Sequence, residues 1–418
     1  MTERGPVRRS VSEGGWAALD LRAREAKRSA FAETKRGWKI ARESAANAVT
    51  AAWNLTARQL RRARSIPARA AHEVRRWDDT RRKLDTYRAE WRVEREIARV
   101  VSGTDPVIVG PWLSEVGYEV LYWVPFVRWV KSTYHVKTER LVVVTRGGAS
   151  AWYRDITPHA IELFDLIPAE EFAARNAARA AQDGGTLKQH RPSSMDEEIL
   201  ARVKQRDGLG SARVLHPSLL YRLFQQFWLG HRPASFLERR TKYSLIEAPP
   251  VALPALPRDY VAVKFYTAAS LPPTPTNRRL LQSIVLKLAE TTDVVMLDTG
   301  LTLDDHDDYT FEAAARVHSV REALRPEDNL AIQTAVIARA RSFVGTCGSV
   351  AWLAPLLGVD TTAIFADARF LHGHLQVARR VYHVAGAGRF SPLDISALDQ
   401  LGLAPSPRGA IQEDGSTR

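Results

Sequence analysis

The sequence contains a single cysteine, Cys347, among 418 residues. One thiol cannot form an intrachain disulfide or supply a cysteine-based zinc site, and this scarcity fits a reducing compartment. Long apolar runs are also missing. No stretch approaches the ~20 apolar residues of a membrane-spanning helix, and the N-terminal MTERGPVRRSVSEGG lacks the apolar centre of a secretory signal. These absences predict a soluble, cytoplasmic protein.

Several short catalytic motifs are absent as well. The sequence has no G-x-x-x-x-G-K-[ST] phosphate loop, no H-E-x-x-H zinc motif and no G-x-S-x-G nucleophile turn. Neither of its two predicted strand-and-helix repeats opens with the G-x-G-x-x-G turn of a dehydrogenase. The four enzyme classes that these motifs define are therefore disfavoured.

Positive charge is concentrated at one end of the chain. Residues 1–100 contain 25 Lys and Arg against 13 Asp and Glu, a net +12, whereas the whole chain carries +13. Residues 17–100 have glycine only at Gly37 and proline only at Pro67. This composition predicts a basic helical extension, residues 1–102, with a break near Pro67.

The second predicted helix of the extension carries an apolar stripe among arginines. Trp77, Leu84, Trp91 and Ala98 recur every seven residues. Such a stripe packs on another helix or on the body of the protein, or binds an anionic membrane surface. Packing on protein, including self-association through residues 17–100, is favoured, and peripheral attachment to the inner membrane face is the alternative. Nucleic acid is disfavoured because acidic residues are interspersed and no nucleic-acid module follows.

From about residue 104, short β-branched runs alternate with helical segments, and the alternation restarts after the proline-rich EAPPVALPALPRD (247–259). This predicts an α/β fold with two Rossmann-like domains that face a cleft. The predicted parts are an N-terminal domain (103–248), a linker (249–258), a C-terminal domain (259–404) and a disordered tail (405–418). Because ligands of open parallel sheets bind at the carboxyl ends of strands, the cleft is the expected site.

The C-terminal domain supplies an anion-binding turn. SFVGTCGSVAWLAPLLGV (342–359) predicts a buried strand, a turn of small residues and a helix beginning at Ser349. The free N–H groups and positive dipole end of such a helix bind phosphate, although Ser349 is also an ordinary N-cap. Polar residues at the ends of the predicted strands complete the candidate site: Lys264, Tyr266, Asp298, Thr299, His318, Thr346, Gly348 and Ser349.

The N-terminal domain supplies carboxylates. In GPWLSEVGYEVLYWVPFVRW (110–129), Ser114 and Glu115 lie in a loop, and Gly117 opens a helix that carries Glu119 and Pro125. Glu115 or Glu119 is a candidate for binding sugar hydroxyls or for acting as a general base. The alternative for Glu119 is a first-turn residue that matches the helix dipole. Pro125 is expected to kink the helix.

These two segments resemble bacterial glycosyltransferases of the two-domain GT-B type. Some members carry a G-E-[FV]-G-x-E loop in the N-terminal domain, here with Ser114 in place of the first glycine, and a turn like that at 345–359 in the C-terminal domain. The resemblance covers about residues 104–400. It implies a nucleotide-sugar donor held by the C-terminal domain, a glycan or lipid-linked acceptor held by the N-terminal domain, and sugar transfer to an acceptor hydroxyl when the cleft closes. It also implies no cofactor, because amides and basic side chains neutralise the departing diphosphate.

Within that resemblance, Ser114, His216 and His306 are candidates for the acceptor side, although His216 precedes a proline and can equally satisfy local backbone groups. His306 lies in the acidic LDTGLTLDDHDDY (297–309). This segment could bind a divalent cation, but a solvated acidic loop is favoured and no metal is expected. Cys347 follows the strand where a helix dipole would lower its pKa, yet no base is placed beside it, so a nucleophilic role is disfavoured.

Two other functions stay open. One is a two-domain transferase with another donor, such as a pyruvyl transferase that uses phosphoenolpyruvate. The other is a non-catalytic scaffold that binds an anionic glycan or a nucleotide. Slow release of nucleoside diphosphate from a sugar nucleotide separates an enzyme from a scaffold.

Overall fold

The computed structural model describes residues 68–301, 303, 307–311, 314–396 and 398. The predictions for residues 1–67, for His306 and for the tail 405–418 lie outside the described residues, as do the side chains of residues 68–80 and 82. Both β-sheets belong to the compact unit that begins at Asp85. In the part of the chain that is described, no helix combines the length and apolarity needed to cross a bilayer.

The first sheet has four parallel strands. They are β1 (Val107–Val109), β2 (Leu141–Thr145), β3 (Ala160–Glu162) and β4 (Arg213–Leu215). Their spatial order is β3-β2-β1-β4, and Ile108 of β1 lies opposite both Val142 and Val214. Strand order therefore reverses between β1 and β4, which is where ligands bind in doubly wound folds.

The second sheet has six parallel strands. They are β5 (Tyr260–Lys264), β6 (Asp293–Met296), β7 (Val317–Ser319), β8 (Ser342–Thr346), β9 (Thr361–Phe365) and β10 (Phe390–Asp394). Their spatial order, β10-β9-β8-β5-β6-β7, is the doubly wound order 3-2-1-4-5-6 when counted from β5. The switch point lies between β5 and β8, so the ends of these two strands are the expected ligand site. The predicted fold class, α/β with two Rossmann-like sheets, is confirmed.

Helices cover the sheets. They are α1 (Ala68–Val101), α2 (Val116–Tyr118, then a π-helical turn Glu119–Trp123, then Val124–Thr133), α3 (Ala169–Gln182), α4 (Ser194–Arg206), α5 (Pro217–Trp228), α6 (Ala234–Glu238), α7 (Pro275–Ala289), α8 (Asn329–Arg339) and α9 (His372–Ala385). One large apolar cluster, which includes Trp112, Trp123, Trp152 and Trp352, is shared by the two lobes. Two smaller clusters are built around Phe172 in the N-terminal lobe and Leu281 in the C-terminal lobe. The lobes thus pack on each other through buried aromatic side chains.

Two local predictions, the helix after Ser349 and the kink at Pro125, differ from the structure, which also shows two further local details. The helix predicted after Ser349 is two 3₁₀ segments, Ser349–Ala351 and Ala354–Leu357, which are too short to build a helix dipole. The region 159–206 contains the short edge strand β3 as well as helices. Helix α5 is capped by the His216 ring, which accepts a hydrogen bond from Ser218 N. Pro125 lies at the start of the Val124–Thr133 segment, directly after the π-helical turn, where a missing N–H costs little.

Candidate active site at the lobe interface

The turn after β8 presents unused hydrogen-bond donors. Within the described residues, the N–H groups of Gly348, Ser349 and Val350 donate to no backbone or side-chain acceptor, whereas Ala351 N and Trp352 N donate back to Gly348 O and Ser349 O. Gly348 has φ +151° and Ser349 has φ +40°, a region that a residue with a side chain seldom adopts. Strained backbone with open amides is typical of a ligand site, since the strain persists only where surrounding structure enforces it.

A polar cavity adjoins one side of this turn. Lys264 Nζ lies 3.2 Å from Asp308 Oδ1 and donates to Leu297 O at 2.9 Å. Asp308 Oδ2 also accepts from Thr299 N at 2.6 Å. The cavity is lined by residues of both lobes: Val116, Arg146, Phe164, Lys264, Tyr266, Thr299, Leu301, Leu303, Asp308, Asn329, Leu330, Gln333 and Ser349. Among the described lining residues, two cationic side chains, Lys264 and Arg146, face one carboxylate, Asp308.

Two buried polar atoms of the polar cavity have no partner in the described part of the chain. Arg146 Nε is a donor from the N-terminal lobe, and Gln333 Oε1 is an acceptor from α8 in the other lobe. Both side chains are at most 3% exposed. Because unpartnered buried polar atoms are costly, a polar ligand that bonds to these two atoms would be stabilised in this cavity.

An aromatic cavity of about 270 Å³ lies on the other side of the turn. It is lined by Glu115, Val116, Gly117, Tyr118, Leu121, Tyr122, Tyr266, Ala268, Ala269, Ser270, Cys347, Gly348, Ser349, Trp352, Phe370, Leu371 and His374. Val116, Tyr266 and Ser349 line both cavities. The two cavities thus meet at the turn, with Glu115 on the aromatic side.

Glu115 sits at the end of a loop that is fixed by buried side chains. Leu113 N donates to Gln189 Oε1 at 2.8 Å, Ser114 O accepts from Arg146 at 2.7 Å, and the Ser114 and Tyr221 hydroxyls lie 2.8 Å apart. His216 supports the loop indirectly. Its Nε2 lies 3.1 Å from Asp196, and Asp196 accepts a hydrogen bond from Gln189. Such support holds a functional side chain in place without a rearrangement on ligand binding.

Gly117 brings the two lobes into direct contact. A Cβ built on Gly117 would lie 2.8 Å from Ser349 N and 3.1 Å from Trp352 Cδ1. Only glycine permits this approach of helix α2 to the turn. The turn therefore faces the opposite lobe at the interface rather than being sealed inside its own.

Glu119 is placed differently from the prediction. Its side chain is fully buried, accepts from the Tyr153 hydroxyl at 2.6 Å and lines neither cavity. Burial raises its pKa to about 7, against the lowering effects of the Tyr153 hydrogen bond and the Arg146 charge. Its expected position at the cleft edge is wrong, because Glu119 lies on the side of helix α2 that packs against Tyr153 in the interior of the N-terminal lobe.

This burial predicts a pH-dependent stability. The folded pKa of Glu119 is about 7 and its ordinary value is 4.5, so the folded state keeps a proton that the unfolded chain loses. The contribution is fully present below about pH 4.5 and is lost as pH rises through 7, an effect of about 3 kcal/mol. Glu119→Gln should flatten the decline in unfolding free energy between pH 4.5 and 8, measured by denaturant titration.

The exposed Glu139→Gln is the control and should leave the slope unchanged. Glu162, whose pKa burial also raises to about 7, should maintain a residual slope in the Glu119 variant. A Glu119→Gln slope identical to that of the wild type would contradict the assignment.

The structure brings some predicted site residues together and separates others. Lys264, Tyr266, Thr299, Gly348 and Ser349 line the cavities with Glu115. Thr346 lies beside them, but its hydroxyl accepts from Tyr266 N and donates to Tyr266 O, both at 2.9 Å. Its observed contact ties the end of β8 to the segment after β5.

Besides Glu119 and Thr346, four predicted residues line neither cavity. Asp298 accepts from the Ser319 hydroxyl, and the His318 ring lies 2.9 Å from Asp293 at the amino end of β6, remote from the carboxyl edge of the sheet. Ser114 and His216 are buried supports of the Glu115 loop. Each of these four side chains therefore has a polar partner within the protein.

Cys347 is buried, and burial raises the pKa of its thiol, opposite to the lowering expected from a helix dipole. The short 3₁₀ segment that follows it explains the absence of a dipole effect. Among the described residues, no group of three or more histidine, cysteine or carboxylate side chains is arranged to hold a metal. Residues 304–306 of the acidic loop are not among those described.

Sequence reasoning missed Arg146, Asn329, Gln333 and His374. Arg146 follows β2 in TRGGA, so its position at the carboxyl end of a predicted strand was an available signal. Gly147 O accepts from Leu330 N and Ala331 N, which means that the N-terminal lobe caps helix α8 of the other lobe. The contact between Gly147 and helix α8 joins segments that are far apart in the sequence, so sequence spacing does not reveal it.

His374 of α9 bridges the lobes at the wall of the aromatic cavity. Its ring nitrogens lie within hydrogen-bond distance of the Tyr118 and Tyr122 hydroxyls of α2. Burial, aided by the Lys188 charge, lowers its pKa to about 4. A neutral imidazole between two hydroxyls donates to one and accepts from the other.

Several solved structures are similar to this chain. They include a family 9 glycosyl transferase from Veillonella parvula (11% identity, TM-score 0.38, 71% of this chain and 88% of that one) and an Escherichia coli heptosyltransferase with ADP (12%, 0.32, 71% and 98%). A UDP-GlcNAc 2-epimerase from Methanocaldococcus jannaschii is also similar (9%, 0.27, 73% and 93%). No protein-family model and no curated protein matches the sequence. Function is therefore argued from the residues of the site.

Proposed function

We propose that the protein transfers a sugar from a nucleotide-sugar donor to a hydroxyl of a glycan or lipid-linked acceptor. The observation that carries this proposal is the Gly348–Val350 turn, whose three amides have no acceptor among the described residues and whose Gly348 and Ser349 line the cavities. A diphosphate is a chemical group that accepts hydrogen bonds from backbone N–H groups and from the Ser349 hydroxyl.

The two cavities suit different parts of such a donor. The polar cavity has a volume of about 50 Å³, so it offers Lys264, Arg146 and Gln333 to phosphate oxygens rather than to a whole nucleotide. The aromatic cavity, with Tyr118, Tyr122 and Trp352, offers ring faces to the sugar and its acceptor. The anomeric carbon, bonded to the diphosphate, would then lie near the turn on the side where Glu115 is found.

The proposed reaction follows from that placement. Glu115 accepts the proton of the acceptor hydroxyl, and the hydroxyl oxygen forms the new bond to the anomeric carbon. The bond from that carbon to the diphosphate oxygen breaks, and its electron pair remains on the diphosphate. The amides of the turn and the Lys264 and Arg146 charges stabilise this anion without the solvent reorganisation that water would require.

Nucleoside diphosphates are expected to raise the melting temperature of the protein. Ligand at about 100 times its Kd adds about 2.7 kcal/mol to the unfolding free energy when only the folded state binds it. Ser349→Ala should weaken that binding about tenfold or more, because it removes a hydrogen bond to a charged group. Ser283→Ala, at an exposed position of α7, is the control.

Thermal-shift titrations with nucleoside diphosphates of each common base measure both effects. The absence of a shift with any of them, or an unaltered affinity in Ser349→Ala, would refute this site. Slow hydrolysis of the matching sugar nucleotide then separates an enzyme from a binding protein. We expect that hydrolysis to persist in EDTA, since side chains and amides supply the charge at the turn.

A further inference from the structure

The inner and outer faces of helix α1 carry different residues. Its inner face, formed by Glu90, Val93, Ile97 and Val101, is buried against the body of the protein. The outer face consists of Arg88, Arg92, Arg95 and Arg99, with the aromatic rings of Tyr87 and Trp91 on one flank, and all six side chains are exposed.

The glutamates in the second half of α1 are neutralised by the body of the protein. Three arginines of the N-terminal lobe each hold one of them, at 2.7 Å: Arg232 with Glu90, Arg240 with Glu94 and Arg222 with Glu96. These pairs remove from the outer face the acidic residues that would otherwise balance its arginines.

Three of the four arginines of the outer face have no carboxylate partner among the described residues. Within the described residues, Arg92, Arg95 and Arg99 have no carboxylate within 4.0 Å, and only Arg88 is paired, with Asp85 at 3.1 Å. The exposed Asp85–Arg88 pair is screened by solvent and contributes little. The outer face is therefore a cationic strip, and the opposite face of the helix is bound to the body of the protein.

The aromatic residues on the flank are exposed, although Trp91 belongs to the predicted stripe. Trp91 is 47% and Tyr87 is 57% exposed, and the Tyr87 ring is covered on one face by the Arg232 guanidinium, 4.1 Å from its centre. The Arg95 guanidinium lies 4.6 Å from the centre of the Trp91 ring. Indole and phenol rings beside arginines are typical of surfaces that lie at the headgroup level of a bilayer.

We propose that the outer face of α1 binds the surface of a bilayer that contains anionic lipids. Charge complementarity supports this occupant, since lipid phosphates attract the three unpaired guanidinium groups while the Trp91 ring enters the headgroup layer. A second copy of the chain fits less well, because a two-fold contact through this face would place arginines against arginines. This inference does not depend on the proposed sugar transfer.

Co-sedimentation of the full chain with lipid vesicles tests the proposal. We expect binding to vesicles of 70% phosphatidylcholine and 30% phosphatidylglycerol, and none to pure phosphatidylcholine. Arg92→Gln/Arg95→Gln/Arg99→Gln should reduce the partition coefficient on the order of a hundredfold, from about 1 kcal/mol per arginine. Trp91→Ala should cause a smaller loss. The triple lysine variant keeps the charge and should retain most of the binding.

The matched control is Arg279→Gln/Arg339→Gln/Arg379→Gln, which removes the same charge from exposed positions of other helices. It should bind vesicles as the wild type does. Equal binding to neutral vesicles, or wild-type binding by the α1 triple glutamine variant with an unchanged melting temperature, would overturn the proposal. So would tighter binding of a DNA or RNA duplex than of anionic vesicles at the same salt concentration, because the partner would then be a nucleic acid.

Discussion

Glu115→Gln should lower sugar transfer by roughly two to four orders of magnitude, the usual contribution of a general base. The side chain borders the aromatic cavity beside the turn that would hold the diphosphate. Glutamine keeps the shape but cannot accept the acceptor's proton. The affinity for nucleoside diphosphate should stay within about twofold, because the lost group acts on the acceptor rather than on the donor.

Glu119→Gln is the matched control for this experiment. The same chemical change is made two residues after Gly117. The Glu119 side chain, however, is buried against Tyr153 and lines neither cavity. We expect transfer close to that of the wild type. Initial rates with saturating donor, together with diphosphate affinity by calorimetry, distinguish the two variants. Full activity in Glu115→Gln would remove Glu115 from the mechanism.

Glu115 and Glu119 also show how far the sequence predicts the site. Both glutamates occur in one short motif, SEVGYE, so spacing alone makes them equal candidates. What separates them is their backbone position: Glu115 is the extended residue before helix α2, whereas Glu119 lies within the helix and faces the interior. Which side of the helix faces the interior depends on packing that this short motif does not show.

Most strands were predictable because they are short β-branched runs next to a turn, and the sheet order follows the usual doubly wound rule, whereas β10 (FSPLD) has no β-branched residue and was not predicted. Edge strands were harder. β3 has three residues, and only its pairing with β2 identifies it as a strand. Lys264 and Ser349 were found from their positions at strand ends, whereas Gln333 lies within a helix and reaches the cavity only through packing of the two lobes.

Gly348→Ala should abolish diphosphate binding, with an affinity loss of about a hundredfold or more, because it acts on the turn in two ways. A Cβ at this position would lie 2.2 Å from the Tyr266 hydroxyl. Its φ of +151° is also a conformation that alanine rarely adopts, at a cost of about 1–3 kcal/mol. Either effect shifts the amides of Ser349 and Val350 away from the geometry that a diphosphate needs.

A rescue variant separates the two effects. Tyr266→Phe removes the hydroxyl, and the next nearest atom to the built Cβ is then Tyr266 Cζ at 3.5 Å, an ordinary contact. The double variant Gly348→Ala/Tyr266→Phe should therefore bind diphosphate more tightly than Gly348→Ala alone, a non-additivity that a double-mutant cycle measures. Gly358→Ala, with φ +80° and nothing within 4 Å, should lower stability without changing diphosphate affinity. If Gly348→Ala binds diphosphate as tightly as Gly358→Ala does, the amides of this turn are not the anion site, and the transfer reaction proposed around them fails with it.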